Sequence, residues 1–292
     1  MPMTENITHL SNAHLSLTLS DLGAEMQTLT TADGREFLWH GDPAFWAARA
    51  PLLFPIVGRT RDNWVAVRDH QAEMAIHGFL RHGVFTRVSH DDEVCQHSLS
   101  DSDATRRVYP FAFQVTVTHR LDGPTLHVIA EIENRDTDAM PFGFGFHPGF
   151  RWPLPGFEGQ QHWVTLDNGA EPPLARLEGG LMTRETLPSP FVQGRIPITP
   201  GMFDNDALVI PQGAGDGLQY GVESGGHLAF RFENLPNLAL WSKPGASFLC
   251  IEPWHGLPGE TDGTEQIAER PFSVLLPPGD VARFGWSVTV AL

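Results

Sequence analysis

The 292 residues carry 19 Lys and Arg against 35 Asp and Glu, a formal net charge of −16 with no continuous basic stripe to offset it. That balance excludes a nucleic acid or an anionic membrane as the natural partner and leaves a small, neutral molecule as the expected ligand. With 41% apolar residues the chain can bury a large core, and we expect one all-β domain over residues 1–292 rather than two average ones.

Residues 1–12 are polar and lack the basic and apolar regions of a signal peptide, and no apolar run reaches membrane-spanning length. Alternation then begins. Leu15, Leu17 and Leu19 are interleaved with Ser16, Thr18 and Ser20, the pattern of a half-buried strand. After the turn signal Asp33-Gly34, Asp42 is placed to cap, and Pro43 to open, one short helix carrying Phe45, Trp46 and Ala47. An apolar run, PLLFPIVG at 51–58, ends in Arg59, and His77-Gly78-Phe79 follows about one hairpin later. Arg59 suits a surface charge or a guanidinium at the rim of a cleft equally well.

Residues 113–118 and 126–132 alternate again, with Asp122-Gly123 between them, and 228–232 and 284–290 do the same around Pro278-Gly279. The stretch 169–200, rich in Pro and Gly, reads as long surface loops. With 29 Gly and 24 Pro, long helices are excluded. The expected fold is an all-β, large antiparallel β-sandwich with few short helices. Two cysteines, Cys95 and Cys250, show neither disulfide nor zinc spacing. Cys250 reads as a core thiol, and a cytoplasmic location is expected.

The chemistry-bearing residues sit at strand ends. Read as a strand, 142–147 directs Phe142, Phe144 and Phe146 to one face and Gly143, Gly145 and His147 to the other; the glycines would leave room for a ligand, and Pro148 would end the pairing. Glu252 follows the apolar run 248–251, where an ionised carboxylate is costly unless it is paired, exposed or chemically employed. In Asp204-Asn205-Asp206 one carboxylate, Asp206 rather than Asp204, is the candidate for a ligand hydroxyl, although a plain turn fits equally. Trp241 and Trp254 are either core or flat faces for a sugar ring. His77, His82, His147 and Glu252 contain metal-ligand types but lack a His-x-His or His-Glu-x-x-His pattern, so no metal is expected. Gly-x-Gly-x-x-Gly, Walker and Gly-x-Ser-x-Gly motifs are absent.

These segments, PLLFPIVGR at 51–59, HGF at 77–79, GFHPGF at 145–150, FDNDAL at 203–208, LALWSKPGASFLCIEPWHG at 238–256 and LPPGD at 276–280, resemble in order those of the aldose 1-epimerase (galactose mutarotase) family, most closely its LacX-like branch. The resemblance implies a galactose mutarotase-like β-supersandwich and interconversion of the anomers of an aldose. It implies Glu252 as the base that removes the anomeric proton and His147 as the acid that protonates the ring oxygen. Arg59, His77, Asp206 and Trp254 would bind sugar, with no cofactor and no metal. Glu252 ionised and His147 protonated, with Arg59 assisting and a sugar-sized cleft between them, is the expected starting state. A carbohydrate-binding or sensing protein without catalysis and a hexose-6-phosphate 1-epimerase are the alternatives, the latter needing cations such as Arg59, Arg61 and Arg81. Monomer and homodimer are both open.

Overall fold

The computed structural model describes residues 6–292, so the first five residues of the polar N-terminal stretch lie outside the described residues. The chain is all-β, and the pairings between its strands are antiparallel. A nine-stranded sheet has the central order His227–Glu233, Val281–Ala291, Thr125–Asn134, Phe113–Asp122, Val94–Ser100. An eight-stranded sheet holds Asn237–Trp241, Phe248–His255, Phe144–Phe146 and Leu52–Leu53 as consecutive neighbours, with Gly149–Arg151 also on Phe248–His255. A three-stranded sheet, Ile7–Ser11, Leu15–Ser20 and Met26–Thr31, and two strand pairs complete the set. Among the described residues no helix is long and apolar enough to cross a membrane.

Alternation in sequence becomes alternation in burial. Along Phe113–Asp122 and Thr125–Asn134 every second side chain is buried, because successive residues of a strand point to opposite faces. The two meet across a Gly123-Pro124 turn in which Gly123 takes a positive φ. The inward faces of the two large sheets interlock through aromatic contacts. Phe144 stacks on Phe284 at 5.0 Å between ring centroids, and Phe150 meets the edge of Phe230 at 5.1 Å. One apolar core thus runs from Leu10 to Val290.

The structure departs from the sequence reading in two segments. Asp42 does cap, its carboxylate accepting from the Ala44 N–H at 2.9 Å, but the chain makes one turn only and no helix forms. Trp46 leaves that turn toward the eight-stranded sheet, and its burial there outweighs continuing a helix of no other apolar periodicity. The one α-helix among the described residues, Asp103–Arg106, is capped at its N-terminus by a Ser102/Thr105 capping box. The stretch 169–200 is not loop: it contains the strands Leu174–Glu178, Leu181–Leu187 and Arg195–Pro197. The first two form a hairpin over Gly179-Gly180, whose positive φ values suit a tight turn, and they extend the eight-stranded sheet.

Asn134 joins three pieces of chain. Its fully buried amide donates to Asp138 O and Leu276 O, both at 2.8 Å, and accepts from the Asp136 N–H at 2.9 Å. Asn134→Ala strands all three partners, and the expected cost is about 3 kcal/mol of unfolding free energy. Urea denaturation measures it; a loss below about 0.5 kcal/mol would show that water replaces the amide.

Candidate active site

The strand Phe248–His255 organises the site. On one side it pairs with Gly149–Arg151, Gly149 opposite Cys250, and with Phe144–Phe146, Gly145 opposite Trp254. The register is the same on both sides of the interruption, so His147 falls directly opposite Glu252. Pro148 and Pro253, one on each strand beside this pair, offer no N–H to the ladder, while Pro148 O still accepts from Ile251 N at 3.1 Å. Pro148 therefore interrupts the pairing and does not end it. Glu252 likewise lies inside its strand, not at the end, because the strand continues through Trp254 to His255 on contacts from both neighbours.

Strand alternation sorts the side chains. Phe144, Phe146, Phe150, Leu249 and Ile251 enter the main core. Cys250, Glu252, Trp254 and His147 take the other face, between two smaller apolar clusters built around Val57, Val209 and Trp254 and around Trp39, Phe248 and Cys250. There they meet a cavity of about 380 Å³ lined by Arg59, His77, His147, Asp206, Glu252 and Trp254 among others. That volume is at the small end of ligand pockets, roughly 300–1,000 Å³. All six candidates proposed from sequence thus reach one cavity. Asp204 does not; it lines a separate depression beside Lys243.

His147 Nε2 lies 3.1 Å from Glu252 Oε2, both side chains being buried. No sugar-sized cleft separates them, contrary to the sequence reading, because directly opposed residues of a ladder are too close to hold one. Nor is the expected charge state favoured in the free site. Burial, and secondarily the Asp206 carboxylate, push the Glu252 carboxyl well above its usual range, and burial pulls His147 down to about 3. Both directions favour the uncharged pair, with the shared proton on the carboxyl. Arg59 does not assist Glu252: it is exposed at the rim, its guanidinium donating to Asn63 Oδ1 at 3.3 Å.

His77 is held in one tautomer. Its Nδ1 accepts from the Gly58 N–H at 3.0 Å, its backbone N–H donates to Gly58 O at 2.9 Å, and burial followed by the neighbouring His147 keeps the ring neutral. Nε2 therefore carries hydrogen and is a donor. The left-handed φ of 66° at His77 and the following Gly78, where a Cβ would stand 2.1 Å from Phe54 O, fix this loop against the 51–58 run. Arg270, buried and missed by the sequence reading, donates to Val57 O at 2.7 Å and Leu257 O at 2.9 Å and ties the two walls of the site together.

Three more residues of the site, Trp46, Gly179 and Gly180, escaped the sequence reading. Trp46 stacks on the His147 ring at 5.0 Å and 29°, while Trp241 presents an edge to it at 5.9 Å. Gly179-Gly180 at the hairpin tip and the half-buried Arg81 line the remaining wall. The space beside the imidazole is filled, not vacant: a Cβ at Gly145 would meet the Trp254 ring at 2.5 Å, and one at Gly149 the Trp46 ring at 2.9 Å. The glycines make room for indoles, and the indoles wall the cavity. Ligand atoms of His147, Cys250 and Glu252 lie within 4.8 Å of one another, a different donor set from the His77, His82, His147 and Glu252 group weighed from sequence. His82 instead accepts from Arg81 Nε at 3.2 Å.

A family model described as aldose 1-epimerase matches residues 6–180. A protein called LacX from Lactococcus lactis subsp. lactis is 26% identical over 96% of this chain and 98% of its own length. The crystal structure of a galactose mutarotase related enzyme from Lactobacillus acidophilus superposes with a TM-score of 0.92 at 26% identity, over 98% of each chain. A galactose mutarotase-like protein from Lactobacillus casei ATCC 334 shares the fold at a TM-score of 0.90 and 24% identity, over 98% of this chain and all of that one.

Proposed function

The chain belongs to the aldose 1-epimerase family, and from that premise we propose that it interconverts the α and β anomers of a free aldose by acid–base opening and reclosure of the sugar ring. The observation that carries the reading is the His147–Glu252 contact of 3.1 Å on the wall of a sugar-sized cavity. Mutarotation takes a proton from the anomeric hydroxyl and gives one to the ring oxygen, and both oxygens are bonded to the same carbon. An adjacent base and acid match that geometry better than two groups on opposite sides of a ring. The shared proton first passes from Glu252 to His147, a single hop. Glu252 then removes the anomeric proton as His147 delivers its own to the ring oxygen, and the ring bond breaks to give the aldehyde. The anomeric carbon turns about its bond to the next carbon, and the same two transfers run backwards on the other face.

The remaining walls supply sugar contacts. His77 Nε2–H and the buried Trp254 Nε1–H, which has no partner of its own, donate to hydroxyls. Asp206 accepts, and Arg59 closes the rim. Polarimetry of freshly dissolved α-glucose and α-galactose tests the function. Acceleration over the spontaneous rate is expected, and a rate no faster than buffer for every free aldose tried would overturn it. A hexose 6-phosphate is the second reading, favoured by two guanidiniums, Arg59 and Arg81, on one cavity. It ranks lower because Arg81 already donates to Ile76 O and His82.

The pH dependence has a definite sign. Activity needs one exchangeable proton on the pair. A second proton, taken up as pH falls toward the depressed His147 value of about 3, leaves no base; loss of the shared proton, as pH rises through the raised Glu252 value, leaves no acid. The rate against pH is therefore a bell whose alkaline limb lies above the ordinary carboxylate range. A stopped-flow or polarimetric profile with no fall toward about pH 3 and none on the alkaline side would contradict the pair.

A further inference from the structure

Cys250 lies close to the acid–base pair, its sulfur within 4.8 Å of a donor atom of each, but has no part in mutarotation. It lies fully buried on the same strand face as Glu252, two residues before it, and opposite Gly149. We propose that His147, Cys250 and Glu252 form a site for a thiophilic divalent cation of the zinc class, entered from the sugar cavity, and that its occupancy shuts the enzyme off. The metal site stands on the geometry alone; the inhibition rests on the reading of His147 and Glu252 as the acid–base pair.

One sulfur, one imidazole nitrogen and one carboxylate oxygen, all within 4.8 Å of one another, make the mixed donor set that zinc accepts and magnesium or calcium does not. Because Cys250 and Glu252 share a strand face and His147 stands opposite, side-chain rotation alone brings the three onto one ion. His147 Nδ1 is buried and has no hydrogen-bond partner, so the ring has no contact at that nitrogen to give up to an ion. His147 and Glu252 line the cavity, so the fourth position of a tetrahedral ion opens toward solvent.

Charge balance removes the usual objection to placing a dication in an apolar wall. On binding, the thiol of Cys250 loses its proton and the pair gives up the proton it shares. Two positive charges leave and two arrive, so the buried site keeps its net charge. The same exchange takes away the proton that the reaction uses and occupies both the acid and the base. Cys95, the other free thiol, provides an internal contrast. It lies 3.6 Å from His97 Nδ1 and 4.0 Å from Nε2, while Asp21 meets Nε2 at 3.2 Å, yet among the described residues these three do not form a donor cluster as tight as the one at Cys250.

The full chain is titrated with Co²⁺ alone and the thiolate-to-cobalt absorption is followed. The expected band saturates at one equivalent, is displaced by Zn²⁺, survives Cys95→Ser and is lost in Cys250→Ser. Should Cys250→Ser fail to fold, Glu252→Gln is the second variant, expected to weaken cobalt binding at least ~10-fold, the lower range for disturbing a metal site. In parallel, Zn²⁺ slows polarimetric mutarotation by the wild type, and Cys250→Ser needs at least ~10-fold more Zn²⁺ for half-inhibition of its own metal-free rate. No band in the wild type overturns the site. So does a band that persists in folded Cys250→Ser or is unchanged by Glu252→Gln, and a band without loss of rate overturns the inhibition. If the metal-free protein accelerates no sugar, the proposed function fails, while the cobalt band still decides the site.

Discussion

Glu252→Gln lowers catalysed mutarotation at least ~100-fold, the lower range for removing one general base. The substitution keeps the shape of a residue that is 2% exposed and packed between Ala239 on one side and His147 on the other, so the loss reports chemistry. Stability separates this from unfolding. The folded state raises the Glu252 carboxyl above its unfolded value, so the contribution of that group to stability is full at acid pH and is lost as pH rises through the raised value. Glutamine removes that loss, and at neutral pH the variant is expected to melt at or above the wild-type temperature. Polarimetry with a parallel thermal melt makes the check, and undiminished turnover in the well-folded variant would sink the mechanism.

His147→Gln is the second large effect. Its rate also falls at least ~100-fold, because the variant loses the imidazole 3.1 Å from Glu252 that returns a proton to the ring oxygen. The loss should appear in kcat with little change in KM, since the transfer strengthens only in the transition state. This variant is destabilised, unlike the first: it leaves a buried carboxyl without its 3.1 Å partner. The two residues pass one proton between them and act as a unit, so the double variant loses about as much as the worse single one. Losses that multiply in the double variant would show two independent groups and refute the shared proton.

Much of the fold was legible in the chain because the strand period is two and a sandwich has one wet and one dry face. Leu15–Ser20, Thr125–Asn134 and Val281–Ala291 carry that alternation openly. The hairpin around Gly179-Gly180 was not read, although its Gly-Gly turn between Leu177 and Leu181 was a usable signal, because Pro and Gly elsewhere in 169–200 suggested loop. Trp46 departs from its local signal for a related reason. A capping Asp followed by Pro starts a helix in isolation, but here burial of one indole against His147 and Gly149 stops it after a turn. Arg270 gave no signal at all, since a guanidinium satisfied by two distant carbonyls looks like any surface arginine in sequence.

By itself, then, the sequence determined the class of fold and the inward face of its openly alternating strands, and it named the candidates for moving a proton. It left open which strands are neighbours and in what register, because those depend on pairings between segments far apart along the chain. Only the tertiary structure decided that His147 stands opposite Glu252, that Asp206 and not Asp204 reaches the cavity, and that Cys250 lies beside the pair. Burial inside a desolvated wall then favours the uncharged pair: it raises the Glu252 carboxyl well above its usual range and lowers the His147 imidazole, so that the proton stays on the pair where a free Glu in water would have lost its own.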